Sequence, residues 1–186
     1  MAKIPQIDNW ENVSTESKGF NEMPADGYVC DIVNVDYVEY DPLTDRGNYL
    51  TFEVDVVEGE FKDYARNTYN RAGFWPLTFS ISCKPSVAWK YKKFIKAINE
   101  SNTDFKGEWD SDNFETMQIG VVMSKEEYKK NNGDIGQRFS RWDAEFVSTE
   151  DIRKGNFTVK PLKKIELETF NSFDDVAKAV ANPFAK

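Results

Sequence analysis

Residues 49–57 read Tyr-Leu-Thr-Phe-Glu-Val-Asp-Val-Val, and this stretch decides the fold. Leu50, Phe52, Val54 and Val56 alternate with Thr51, Glu53 and Asp55, the period of a strand with one face in a core and the other in water. Upstream, Tyr28 to Tyr40 (YVCDIVNVDYVEY) is rich in β-branched and aromatic residues and predicts a long first strand. Asp41-Pro42-Leu43-Thr44-Asp45-Arg46-Gly47-Asn48 joins the two with turn chemistry. Downstream, Glu58-Gly59-Glu60 turns the chain, residues 64–75 read as irregular, and Phe74 to Ser82 (FWPLTFSIS) reads as a third strand. Pro76 cannot donate to a ladder, which makes this strand an edge or places a bulge near Trp75.

From Pro85 to about Asn99 the period turns helical. Val87, Tyr91, Phe94, Ile95 and Ile98 share one face, Pro85 suits a first helical position, and Lys90, Lys93 and Lys96 point away from the core. Met117 to Met123 predicts a short buried strand, residues 124–134 a charged connection with a turn at Asn131-Asn132-Gly133-Asp134, and Ile135 to Val147 a fifth strand. Ser148-Thr149-Glu150-Asp151 resembles a helix start. The ends are polar: an arm that Trp10 and Phe20 can anchor, and a tail with a short amphipathic patch from Phe173 to Val180.

The order strand, strand, strand, helix, strand, strand is that of an OB-fold, whose ligands lie across strands 2 and 3 and the loops joining strands 1–2 and 4–5. A five-stranded α+β sandwich gives much the same string. The expected architecture is mainly β with one principal helix: an OB-fold-like five-stranded barrel over residues 27–148, an N-terminal arm over 1–26 and a C-terminal extension over 149–186.

Composition narrows the function. The 186 residues, 40% of them hydrophobic, suffice for one domain with a sizeable core. No apolar run approaches the roughly 20 residues that span a bilayer, and MAKIPQIDNWE lacks the regions of a signal peptide, so a soluble, cytoplasmic protein without a membrane partner is expected. Cys30 and Cys83 read as reduced core thiols. Histidine is absent, which removes Ser-His-Asp and Cys-His catalysis and His-ligated zinc. Neither a Walker-type GxxxxGK[ST] nor a GxGxxG occurs. The expectation is a binding protein without a cofactor, not an enzyme.

Charge is distributed unevenly. The net charge is −8, yet residues 61–100 hold eight basic against two acidic side chains, whereas residues 1–60 hold three against fourteen. The same basic stretch is aromatic. Cations with interleaved rings suit single-stranded nucleic acid, because Lys and Arg follow phosphates while rings stack on unpaired bases. Candidate phosphate contacts are Lys62, Arg66, Arg71, Lys90 and Lys93; candidate stacking rings are Tyr64, Tyr69, Phe74 and Trp75. Core packing is the competing reading for every ring. It is strongest for Phe52 and Phe94, while Tyr69 and Trp75 are expected to be dispensable for stability. Four to six such contacts predict a log–log salt slope of roughly −3 to −4.

Several segments, taken in order, resemble a family encoded by phages of Gram-positive bacteria and regarded as single-stranded DNA-binding or related proteins. They are Pro24-Ala25-Asp26-Gly27-Tyr28, then Gly47-Asn48-Tyr49-Leu50-Thr51-Phe52-Glu53-Val54 with Glu58-Gly59-Glu60-Phe61. Ile119-Gly120-Val121-Val122 with Glu126-Glu127-Tyr128 follows, and then Ile152-Arg153-Lys154-Gly155-Asn156-Phe157 ahead of Pro161. Together they cover residues 18–165. The resemblance implies an OB-like domain that coats single strands in phage DNA replication or recombination, without catalytic residues, in the host bacterial cytoplasm. Replication or recombination proteins and a second copy of the chain are its candidate partners. Bacterial single-strand binding proteins typically end in an acidic tail with a terminal Pro-Phe; here Asp174-Asp175 and Asn182-Pro183-Phe184 are followed by Ala185-Lys186.

Two other readings stand beside this one. A carboxylate nuclease would hold Mg²⁺ on Glu53 and Asp55 with Asp36 or Asp45, since hard cations prefer oxygen ligands. A phage protein-interaction or recombination accessory factor would use the acidic first sixty residues as its surface.

Overall fold

The structure, a computed structural model, describes residues 22–43, 47–108 and 114–165. Trp10, Phe20, Asp45 and the patch Phe173 to Val180 lie outside the described residues. The chain is mainly β. Its elements are β1 (Gly27–Val38), β2 (Tyr49–Val56), α1 (Tyr64–Ala72), β3 (Thr78–Ser82), α2 (Ala88–Ser101), β4 (Gln118–Val122), β5 (Lys125–Lys129), β6 (Ile135–Phe139), β7 (Glu145–Val147) and α3 (Thr149–Lys154). Five strands form one antiparallel sheet in the order β3-β2-β1-β4-β7, and β5 and β6 form a separate hairpin.

The long first strand serves two neighbours. Residues 30–38 pair with β2 and residues 27–31 with β4. A register shift between Ile32 and Asn34 inserts Val33 as an extra residue. Side chains alternate along a strand, so Ile32 and Val35, three apart, cannot share a face without such a bulge. With it, Ile32 is fully buried and Val35 packs on the same core, while Val33 is turned outward. The core is built on aromatic rings, with Phe52 of β2 5.2 Å from Phe94 of α2 and 5.1 Å from Phe146 of β7.

Beyond β7, Ser148 caps α3 by accepting the Asp151 amide, as its sequence suggests, and Gly155 ends the helix at φ 71°. The helix lies against the sheet at Gly120, where a Cβ would stand 2.6 Å from the Ile152 side chain and 2.7 Å from the Ser148 carbonyl oxygen. Further on, Lys163 hydrogen-bonds to β5 through Lys125 and Glu127. Residues 149–165 are thereby packed onto the sheet and hairpin. No helix among the described residues is long and apolar enough to cross a membrane.

The structure corrects the sequence reading in six places. Residues 64–75, read as irregular, contain α1; β3 begins at Thr78, not Phe74, because Trp75-Pro76 leads into it as loop. The connection 124–134 is half of a hairpin: β5 runs through Lys125–Lys129, and the turn is closed by the Lys130 amide on the Asp134 carbonyl at 2.8 Å. Ile135 to Val147 is two strands, β6 and β7, broken at Ser140 where the chain leaves the hairpin for the sheet. The wet face of β2 is not wet at its end, since α1 covers Asp55 and leaves it 3% exposed. Finally, the outer strands β3 and β7 do not pair, so no closed barrel forms. Arg141, in the segment before β7, bridges to β3, its carbonyl accepting the Ser80 amide at 2.9 Å.

Candidate nucleic-acid interface

The interface starts from an unusual helix cap. Asp63 precedes α1 in the left-handed region, φ 59°, and gives it no side-chain cap. The first amides of a helix need acceptors, and here Asp55 of β2 supplies them. Its Oδ1 accepts from the Ala65 amide at 2.9 Å and the Val56 amide at 3.0 Å, and its Oδ2 from the Arg66 amide at 3.3 Å. Burial pushes the Asp55 carboxyl above its usual range, and the three amides, with the Arg66 guanidinium 3.9 Å away, pull it back. Removing the carboxylate leaves buried donors orphaned, each worth about 1–3 kcal/mol. Asp55→Ala is therefore expected to lower stability by at least about 1–3 kcal/mol and to speed hydrogen exchange at the α1 amides ahead of the sheet. Unchanged α1 protection would rule out this capping role.

Held in this way, α1 and the loop after it form one wall of a groove of 440 Å³. Tyr64, Arg71 and Phe74 come from this side; Tyr128, Arg138 and Phe139 come from the β5–β6 hairpin opposite. Phe74 is 57% exposed. The rings and cations are interleaved: Lys125 Nζ stands 5.4 Å from the Phe139 ring and the Arg138 guanidinium 5.3 Å from the Tyr128 ring. Acids temper the charge. Lys125 pairs with Glu22 at 2.7 Å and Arg138 with Glu126 at 2.9 Å.

The nine candidate residues do not form one site. Tyr64, Arg71 and Phe74 meet in the groove. Lys62 and Arg66 are exposed at the start of α1, outside its lining, and Tyr69 is exposed with its ring 6.0 Å from that of Trp75. Trp75 is half-buried against the core and its Nε1 donates to the Val54 carbonyl at 3.1 Å, which makes it a packing residue. Lys90 and Lys93 lie elsewhere, on α2, each with its Nζ 5.9 Å from the ring of Trp89, which is 58% exposed.

Sequence reasoning missed the hairpin's half of the groove. Tyr128, Arg138 and Phe139 sit in a block whose total charge is acidic, and only the pairing of β5 with β6 collects their rings and cations. The carboxylates named for a metal are also dispersed. Asp55 is saturated by amides, while Glu53, its carboxyl raised by burial and then by Asp36, faces that residue alone among the acids that perturb it. Among the described residues no group of three His, Cys, Asp or Glu side chains is placed to hold a metal ion. Both cysteines are free, Cys30 buried and Cys83 half-buried.

No known family model matches the chain, and no curated protein matches it significantly.

Proposed function

We propose that this chain binds single-stranded DNA without sequence preference and without chemistry of its own, coating strands exposed during phage DNA replication or recombination. The observation that carries the reading is the groove between α1 and the β5–β6 hairpin, where Tyr64, Phe74, Tyr128 and Phe139 are interleaved with Arg71, Lys125 and Arg138. Rings of this kind stack on any base but need it unpaired. The connectivity supports the same reading. A bulged first strand shared by β2 and β4, the order β3-β2-β1-β4-β7 and a helix between β3 and β4 support an OB-like reading of the sheet, without its barrel closure. The β5–β6 hairpin then occupies the loop before the last strand, one of the two loops with which that fold holds oligonucleotides.

A net charge of −8 is compatible with a polyanionic ligand, because screening over about 8 Å at physiological salt leaves the local charges in control. The test is an anisotropy titration of labelled single-stranded and duplex oligonucleotides at several salt concentrations. Single strands should bind at least about tenfold more tightly than duplex, which cannot present its bases to the rings. The groove lining holds three cations, Arg71, Lys125 and Arg138, and three phosphate contacts give a log–log salt slope near −2. That is shallower than the sequence alone predicts. Equal affinity for duplex and single strand would overturn the proposal.

A further inference from the structure

Two residues beyond Phe139 of the groove, Arg141 is a cation held in place with no carboxylate partner among the described residues. The Arg141 guanidinium spans β2 and β3, its Nε donating to Ser80 Oγ at 2.7 Å and its Nη2 to Thr51 Oγ1 at 2.8 Å. Its own carbonyl accepts the Ser80 amide, so backbone and side chain are both fixed. Both side-chain partners are neutral hydroxyls, the residue is exposed, and among the described residues no carboxylate lies within ion-pair distance of it. An exposed guanidinium fixed by neutral hydroxyls and not by a carboxylate is an anion-binding arrangement.

Ser80, the partner of Arg141, also lines a second cleft, together with Trp89, Lys90 and Lys93 of α2 and Trp142. Trp142 is 46% exposed and packs edge-on against Tyr49, with centroids 5.1 Å apart, which fixes its ring. Glu145, also in the cleft, is 3.6 Å from Lys160. Lys90 and Lys93 have no carboxylate partner among the described residues. The cleft volume of 40 Å³ is far below the roughly 300–1,000 Å³ of pockets that enclose a small molecule. Such a surface offers indole faces to a flat group without enclosing it.

We infer that the bound strand does not end in the groove: it continues over Arg141, which holds a phosphate, and stacks a further base at Trp89 and Trp142. The inference rests on the proposed function and deepens it. Phe139 lines the groove and Trp142 the cleft, and three residues of chain span at most about 10 Å, so one short strand reaches both. Charge supports a polyanion as the occupant, since Arg141, Lys90 and Lys93 have no carboxylate partner among the described residues.

The experiment titrates the whole chain with fluorescein-labelled oligothymidylate of about 15 nucleotides, near the upper limit for one such domain. Trp89→Ala and Trp142→Ala should each weaken binding roughly five- to a hundredfold, the value of one stacked base, while Trp89→Phe and Trp142→Phe, which keep a ring, stay within a few-fold of the parent. Arg141→Gln should make the log–log salt slope shallower by about 0.7, the loss of one phosphate contact. Melting curves on each variant separate lost binding from lost folding, and Trp89, exposed on a helix, tests the cleft independently of Trp142. If both Ala variants bind like the parent while Phe74→Ala does not, the strand stops in the groove and the inference fails with the proposed function intact. If the parent itself binds no single strand, both fall, and the first titration shows it.

Discussion

Phe94→Ala is expected to lower the free energy of unfolding by about 3–5 kcal/mol, the range for deleting a fully buried aromatic ring. The ring is 0% exposed and touches four others: Phe52 at 5.2 Å, Phe114 at 5.3 Å, Phe146 at 5.4 Å and Tyr91 at 6.1 Å between centroids. These neighbours come from β2, from the segment before β4, from β7 and from the preceding turn of α2. One truncation therefore opens a cavity where helix and sheet meet, and rings fixed from three directions cannot collapse into it. Against a typical total of about 5–15 kcal/mol, the loss leaves little of the native state. Phe52→Ala, which removes the facing ring, should cost a similar amount. The double variant should cost less than the sum, because the two share one cavity. Urea denaturation of the three variants measures this, and a loss below about 1.5 kcal/mol for Phe94→Ala would mean that the core repacks around the gap.

Both of these positions can be read from the sequence, since Phe52 lies on a period-2 face and Phe94 on a period-3.6 face. The elements that fail to show themselves are those whose stabilising partners are distant in sequence. Within α1 only Ala65 and Thr68 are buried, so its apolar stripe is too short to register, and its cap comes from Asp55, eight residues ahead of Asp63 and on a strand. The sequence Lys125-Glu126-Glu127-Tyr128-Lys129 is a strand with one ring and four charges. A strand that is polar on both faces carries no alternation, and β5 is held by its pairing with β6 and by cross-strand contacts such as Glu126 with Arg138. Half of the groove was hidden for this reason. The other half was visible because Tyr64, Arg71 and Phe74 fall within one basic, aromatic stretch, but the same stretch also holds Trp75, and composition cannot separate neighbours that face opposite ways.

Phe74 and Trp75 make that separation measurable. Phe74→Ala should leave the melting temperature within a few degrees and weaken single-strand binding by about 1–3 kcal/mol, because its ring is 57% exposed on the groove wall and available to stack. Trp75→Ala should do the reverse at the first step: it removes a ring packed on the core and orphans the Val54 carbonyl, at a cost of about 2–4 kcal/mol of stability. Binding by the fraction that remains folded should stay near that of the parent, apart from any shift of Tyr69, whose ring rests 6.0 Å from that of Trp75. Tyr69→Ala serves as the control; exposed and outside the groove lining, it should change stability by less than about 1 kcal/mol. Thermal melts and fluorescence titrations on the three variants decide between the two roles. A Phe74→Ala protein that binds like the parent would remove the groove from the interface. A Trp75→Ala protein that keeps its stability but loses its affinity would return the site to the stretch of sequence where it first appeared, since the ring would then be serving the ligand and not the core.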